Sequence, residues 1–121
     1  MPQRESPRTR RVADRIVEEL AECLASKTED PRLRTLAVTG ARVSRDLSTA
    51  RVWVSGTMTA EEEASVLKAL VHATPFLRSY LAPRLGTRIV PTLTFHIDKS
   101  IETGTRIEQL LRDLDRPAES E

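Results

Sequence analysis

Between Thr9 and Ser26, in "TRRVADRIVEELAECLAS", apolar residues fall three or four positions apart. Val12, Ile16, Leu20 and Cys23/Leu24 mark one helical stripe, and Ala13 and Val17 widen it. "KTEDPRLR" then interrupts the pattern, and its Asp30-Pro31 step predicts a loop. Two shorter segments alternate instead of turning: "TLAVTGARVS" (35–44) and "TARVWVSG" (49–56) read as strands joined through the turn "RDLS" into an antiparallel hairpin. The phase of the first is ambiguous, and Gly40 inside it suggests a bulge or a close backbone approach. In the second, Val52/Val54 oppose Arg51/Trp53/Ser55, and Trp53 reads first as a half-buried packing residue rather than a base-stacking platform.

Thr59-Ala60-Glu61-Glu62 is a capping-box pattern opening a second helix, expected to bury Ala64, Leu67, Leu70 and Val71 and to reach Ala73. Pro75 then breaks the rhythm. An interior proline removes a backbone hydrogen bond and crowds the preceding turn, costing about 3 kcal/mol, and pushes Thr74 out of helical geometry. Phe76, Leu77, Tyr80, Leu81 and Leu85 resume the pattern as far as Gly86, a C-cap signal, so two helices or one kinked helix are expected. "RIVPTLTFHID" (88–98) is a strand with Ile89, Leu93, Phe95 and Ile97 on one face, and Pro91 assigns it to an edge. Asp98 or Ser100 can cap a last helix with Ile107, Leu110, Leu111 and Leu114 as its stripe. The expected organisation is a flexible arm at 1–7, one domain at 8–115 and a polar tail at 116–121.

A chain of 121 residues supports a single modest core, which must be aliphatic because aromatics are only 3%. No apolar run approaches a membrane span, the arginine-rich N-terminus lacks an apolar segment behind it, and Cys23 is the sole cysteine. A cytoplasmic monomer is expected. The net charge of +1 conceals segregation. Residues 1–15 carry five arginines against Glu5 and Asp14, 16–30 reverse the sign, and 31–55 hold Arg32, Arg34, Arg42, Arg45 and Arg51 against Asp46. Glu61, Glu62 and Glu63 follow, then 64–97 contain no acid at all, and the tail is acidic again. Such blocks describe a two-faced molecule with one face suited to phosphates. The first helix is basic at its start and acidic in its middle, opposite to what its dipole favours, which points to ligand contact rather than helix stabilisation.

Catalysis finds no support in the residues. His72 and His96 have no metal-ligand spacing, Cys23 lies on an apolar stripe, Asp98 and Ser100 are explained by capping, and four scattered glycines make no phosphate loop. No enzyme activity, cofactor, metal or small-molecule substrate is expected. The order helix, strand, strand, broken helix, strand is that of the second type of KH domain, an α+β fold with helices on one face of a three-stranded sheet. KH modules grip nucleic acid at a GxxG loop between two helices. "ATPF" stands at that junction here, where a newly opened helix N-terminus would favour an anion.

"VSRDLSTARVWVS" (43–55), "FLRSYLAPRLGTRIVPTLTF" (76–95) and "DKSIETGTRI" (98–107), together with "DPRL", resemble the ribosome-binding factor A family over about Arg10 to Leu114. The resemblance implies a type II KH-like domain in which a helix–kink–helix marked Ala-x-Gly replaces the GxxG loop. Ala73-Thr74-Pro75 takes that position, with proline where glycine is usual. It also implies binding to the immature 30S subunit and its 16S rRNA, help in late maturation including 5′-end processing, and importance in the cold. Arg78, Arg84 and Arg88 with Arg8, Arg10, Arg11 and Arg15 are the expected phosphate contacts, followed by Arg32, Arg34 and Arg45. The alternative is a protein-interaction module that docks through the acidic 16–30 face or the tail.

Overall fold

The computed structural model describes residues 6–99 together with Leu111 and Arg112; of the expected last helix only those two residues are described, both helical, with Leu111 55% exposed. Helix α1 spans Pro7–Ser26, the one-turn α2 Pro31–Arg34, and α3 Ala60–Leu85; strands are β1 Ala37–Val43, β2 Thr49–Ser55 and β3 Thr92–Ile97. α1 starts inside the expected arm because Ser6 and Thr9 form a reciprocal cap. The Ser6 hydroxyl accepts from the Thr9 N–H and Thr9 Oγ1 accepts from the Ser6 N–H, both at 3.1 Å. The Asp30-Pro31 step, read as a loop, caps α2 instead: the Asp30 carboxylate accepts from the Arg32 N–H at 3.0 Å.

The sheet order is β1-β2-β3, with β1 and β2 antiparallel and β2 and β3 parallel, so β3 is an edge as Pro91 suggested. Gly40 resolves the phase of β1. The register shifts between Val38 and Gly40, so Val38 pairs with Val54 and Ala41 with Val52 although they are an odd number of residues apart. The bulge therefore keeps both ends of β1 facing the core. In β2 and β3 the inward pairs are Ala50–Leu93, Val52–Phe95 and Val54–Ile97, while Arg51–Thr94 and Trp53–His96 face away. Ile89 was expected inside, but the strand begins only at Thr92, after the buried Pro91, and Ile89 is 56% exposed.

The helices cover the inward face. Ile16, Leu20, Cys23 and Leu24 of α1 meet Leu70, Leu77 and Leu81 of α3 over Val52 and Val54, all fully buried. Burial raises the Cys23 thiol pKa, consistent with its role as a small apolar residue. This order and one-sided layering give the expected KH-like α+β fold.

One expectation fails. α3 is a single helix through Pro75 and Pro83, and Thr74 is helical, so no second helix N-terminus opens at "ATPF". Pro75 has no N–H to offer the carbonyl four residues back, but Thr74 Oγ1 donates to Leu70 O at 2.8 Å, adding a local bond across the same turn. Leu70 on one side of the proline and Leu77 and Leu81 on the other bury in the same core. Continuity of that packing outweighs the local cost. The buried phase is Val66, Leu70, Leu77 and Leu81; Ala64 is exposed, Val71 is 70% exposed and Phe76 47%. Thr59 and Glu62 form the expected box, and Gly86 ends the helix in the left-handed region at φ 67°.

Candidate nucleic-acid interface

α1 and α3 run antiparallel, as two contacts show. Arg15 Nε of α1 donates to Arg84 O near the end of α3 at 3.2 Å, and Arg32, just past α1, bonds Ser65 Oγ near the start of α3. The end of α3 leads through residues 86–91 into β3, whose Thr92 N–H donates to Ser48 O at 2.8 Å in the hairpin turn. The first turns of α1, the last turn of α3, the 44–48 turn and the 86–91 loop thus share one end of the molecule. Arg8, Arg10, Arg11, Arg15, Arg45, Arg84 and Arg88 lie at that end, on four separate segments.

Their states differ. Arg15 is held by Glu18 (3.7 Å) and Glu19 (3.5 Å), and Arg84 by Glu19 (3.7 Å), by Tyr80 O (2.7 Å) and by stacking 3.7 Å over the Tyr80 ring. Arg8, Arg10, Arg11, Arg45 and Arg88 are exposed, and their side chains make no ion pair or hydrogen bond among the described residues. Asp46, beside Arg45, makes no ion pair with it and turns one carboxylate oxygen back onto its own hairpin turn. That oxygen accepts from Ser44 Oγ (2.8 Å), Ser48 Oγ (2.7 Å) and the Ser48 N–H (3.0 Å), which lower its pKa to about 2. The same bonds brace a turn in which Leu47 adopts φ 63°, uncommon for a side chain of its size, and tucks into the core.

Three of the expected phosphate ligands have other employment. Arg78 reaches from α3 across to the approach to β3, donating through Nε to Pro91 O (3.2 Å) and through a terminal nitrogen to Val90 O (2.8 Å). It is a brace whose partners lie 12 and 13 residues on, which no local pattern reveals. Arg32 forks onto Asp30 at 2.7 and 3.0 Å, lowering the Asp30 pKa and raising its own, and Arg34 Nε donates to Thr28 O at 2.8 Å. Both stand at the far end of α1, away from the basic cluster.

That far end also holds a groove of about 860 Å³ between the 27–33 segment and α3, with Lys27, Arg32, Lys68, His72 and the exposed Val71 and Phe76 on its walls. Of the junction residues singled out in the sequence, Ala73 lines this groove, while Thr74 and Pro75 do not. Among the described residues there is no cluster able to hold a metal ion, and no helix is long and apolar enough to cross a membrane.

Known proteins match along most of the chain. A relative from Thiobacillus denitrificans named ribosome-binding factor A is 41% identical over 105 residues, covering 87% of this chain and 85% of its own. One from Chromohalobacter salexigens with the same name is 42% identical over 112 residues, covering 89% and 84%. The crystal structure of ribosome-binding factor A from Thermus thermophilus superposes with a TM-score of 0.65 at 32% identity, over 74% of this chain and 94% of that one. A Thermus thermophilus homology model fitted into an electron-microscopy map of a 30S complex gives 0.60 at 33% identity, over 72% and 91%. The family model described as ribosome-binding factor A matches residues 8–111. The chain belongs to the ribosome-binding factor A family.

Proposed function

We propose that this protein binds the small ribosomal subunit during its late maturation and that its basic end grips 16S rRNA by the phosphate backbone. The observation that carries the reading is the placement of Arg8, Arg10, Arg11, Arg45 and Arg88 at one end, from segments distant in sequence, with no ion pair among the described residues to hold their side chains. Arginines in that state present forked donors to phosphate oxygens without first having to break an ion pair. The three-segment origin suits a folded RNA surface better than a single extended strand. The 30S complex of the Thermus relative supports the same partner.

On this reading the protein is a cytoplasmic, non-catalytic assembly factor that acts as a monomer without a cofactor. It assists 5′-end processing of the rRNA and matters most in the cold. The expected result is co-sedimentation with free 30S particles and not with 70S ribosomes, abolished when Arg8, Arg11 and Arg88 are all replaced by Ala. Equal recovery of wild type and variant with 30S particles would overturn the assignment of the basic end.

A further inference from the structure

The groove between the 27–33 segment and α3 is used by neither the core nor the basic end. Of the four large apolar side chains exposed among the described residues, Val71 and Phe76 line this groove of about 860 Å³. Both stand outside the buried phase of Leu70 and Leu77 on α3, so core packing does not account for them. A third, Leu111, belongs to the stripe Ile107, Leu110, Leu111 and Leu114, which the sequence places at helical spacing near its C-terminal end. A helix this short is marginal in water and gains its order by packing an apolar face.

Charge and reach favour bringing the two surfaces together. The groove holds Lys27, Arg32 and Lys68 against Glu29 and Asp30, with His72 beside them. Asp30 is taken up by Arg32, which leaves two lysines against one glutamate, and neither lysine makes an ion pair among the described residues. Residues 100–121 carry six acids against three arginines, the opposite balance. β3 delivers the chain to the start of α3, where Lys99 Nζ meets Glu63 Oε1 at 3.2 Å. Extended, residues 100–106 cover up to roughly 23 Å, and Glu63 to Phe76 measures about 20 Å along the helix axis. The dimensions also agree: a helix from Ile107 to Leu114 rises about 10 Å, and the groove wall from Lys68 to Phe76 about 12 Å.

We propose that the groove is the docking surface for this chain's own C-terminal segment, with Ile107, Leu110 and Leu114 set against Val71 and Phe76. The open groove and the exposed Leu111 describe the undocked arrangement, and docking covers both apolar surfaces in one step. A second copy of the chain offers the same stripe, but a tethered segment competes at a millimolar effective concentration and occupies the groove first. The inference stands independently of where RNA binds, since the groove lies at the end of the helical layer away from the basic cluster.

Disulfide trapping in the full chain tests it, because a bridge forms only where two Cα atoms come within about 7 Å. Cys23 is buried, so introduced cysteines are the accessible ones. Val71→Cys/Leu110→Cys places one thiol in the groove and one in the stripe. Thr57→Cys/Leu110→Cys is the control, since Thr57 is exposed just ahead of α3 and outside the groove. In oxidised glutathione the groove pair should close an intramolecular bridge at least about tenfold faster than the control pair, the advantage of a docked over a merely tethered segment. Adding Ile107→Asp/Leu114→Asp, which leaves every described core residue intact, should bring the groove pair down to the control rate. Equal rates for the two pairs, or a groove-pair rate indifferent to the aspartates, would overturn the proposal. Bridges that form only between chains would assign the groove to a second copy and overturn it too.

Discussion

The two ends of the helical layer hold arginines in opposite conditions. At the far end, Arg32 is forked onto Asp30 and bonded to Ser65, and Arg34 is fixed to the Thr28 carbonyl. At the basic end, Arg8, Arg10, Arg11, Arg45 and Arg88 project without such partners among the described residues; Glu18, Glu19 and Asp46 are engaged with Arg15, Arg84 and serine donors, and Asp14 forms no ion pair with Arg10 or Arg11. Arginine count alone therefore does not tell the two ends apart. What distinguishes the ends is whether each guanidinium already has an anion or carbonyl to satisfy it.

The largest consequence concerns binding. Replacing Arg8, Arg11 and Arg88 together by Ala should lower affinity for 30S particles by about tenfold or more at low salt, measured by filter binding, with the thermal midpoint unchanged. Arg32→Ala/Arg34→Ala should change affinity little and reduce stability instead. The reverse pattern would exchange the roles of the two ends.

Arg78 is the next test, because it sits among the expected phosphate ligands and yet braces the approach to β3. Arg78→Ala should destabilise the fold by about 1.5–3 kcal/mol, the usual effect of removing hydrogen bonds from a charged group, seen in urea denaturation. Its 30S affinity per folded molecule should stay at the wild-type value. Arg78→Lys should restore only part of the stability, since one ammonium cannot reproduce the two-nitrogen fork onto Val90 O and Pro91 O.

Pro75→Ala should stabilise the protein by about 1–3 kcal/mol, because α3 is already continuous and the substitution returns the missing N–H. Unfolding that becomes easier in this variant would show that the proline relieves strain elsewhere in the helix. The smallest effect belongs to the hairpin turn. Asp46 has a folded pKa of about 2 against an ordinary value of 3.8, so its stabilising contribution is present above pH 3.8 and is lost as pH falls through 2. Asp46→Asn should flatten the acid side of the stability profile in that window and leave the neutral side parallel to wild type.

These tests also mark what the sequence could and could not convey. Periodicity located α1 with its buried Ile16 and Leu20, Gly40 flagged the bulge, and the Thr59–Glu62 spacing named the cap, because each is a local consequence of backbone geometry. Pro75 misled because its cost is local whereas the burial of Leu70, Leu77 and Leu81 that overrides it is tertiary. For the same reason the bracing role of Arg78 was not legible: its carbonyl partners come near only once β3 has docked beside β2. Charge blocking drew attention to arginine-rich segments, but only folding separated those that converge from those that are internally satisfied. The stack of Trp53 on His96 could not be seen either, since it depends on a parallel register between strands 43 residues apart in pairing.

The central claim is that the free arginines of one end, and not the paired ones of the other, neutralise rRNA phosphates. Its most direct test is the salt dependence of 30S binding for three proteins: wild type, Arg8→Ala/Arg11→Ala/Arg88→Ala, and Arg32→Ala/Arg34→Ala. In the basic-end variant the slope of log affinity against log salt should become shallower by roughly 0.7–0.9 for each phosphate no longer neutralised, and in the Arg32/Arg34 variant it should stay at the wild-type value. Equal slopes for wild type and the basic-end variant, with a shallower slope for the Arg32/Arg34 variant, would contradict it.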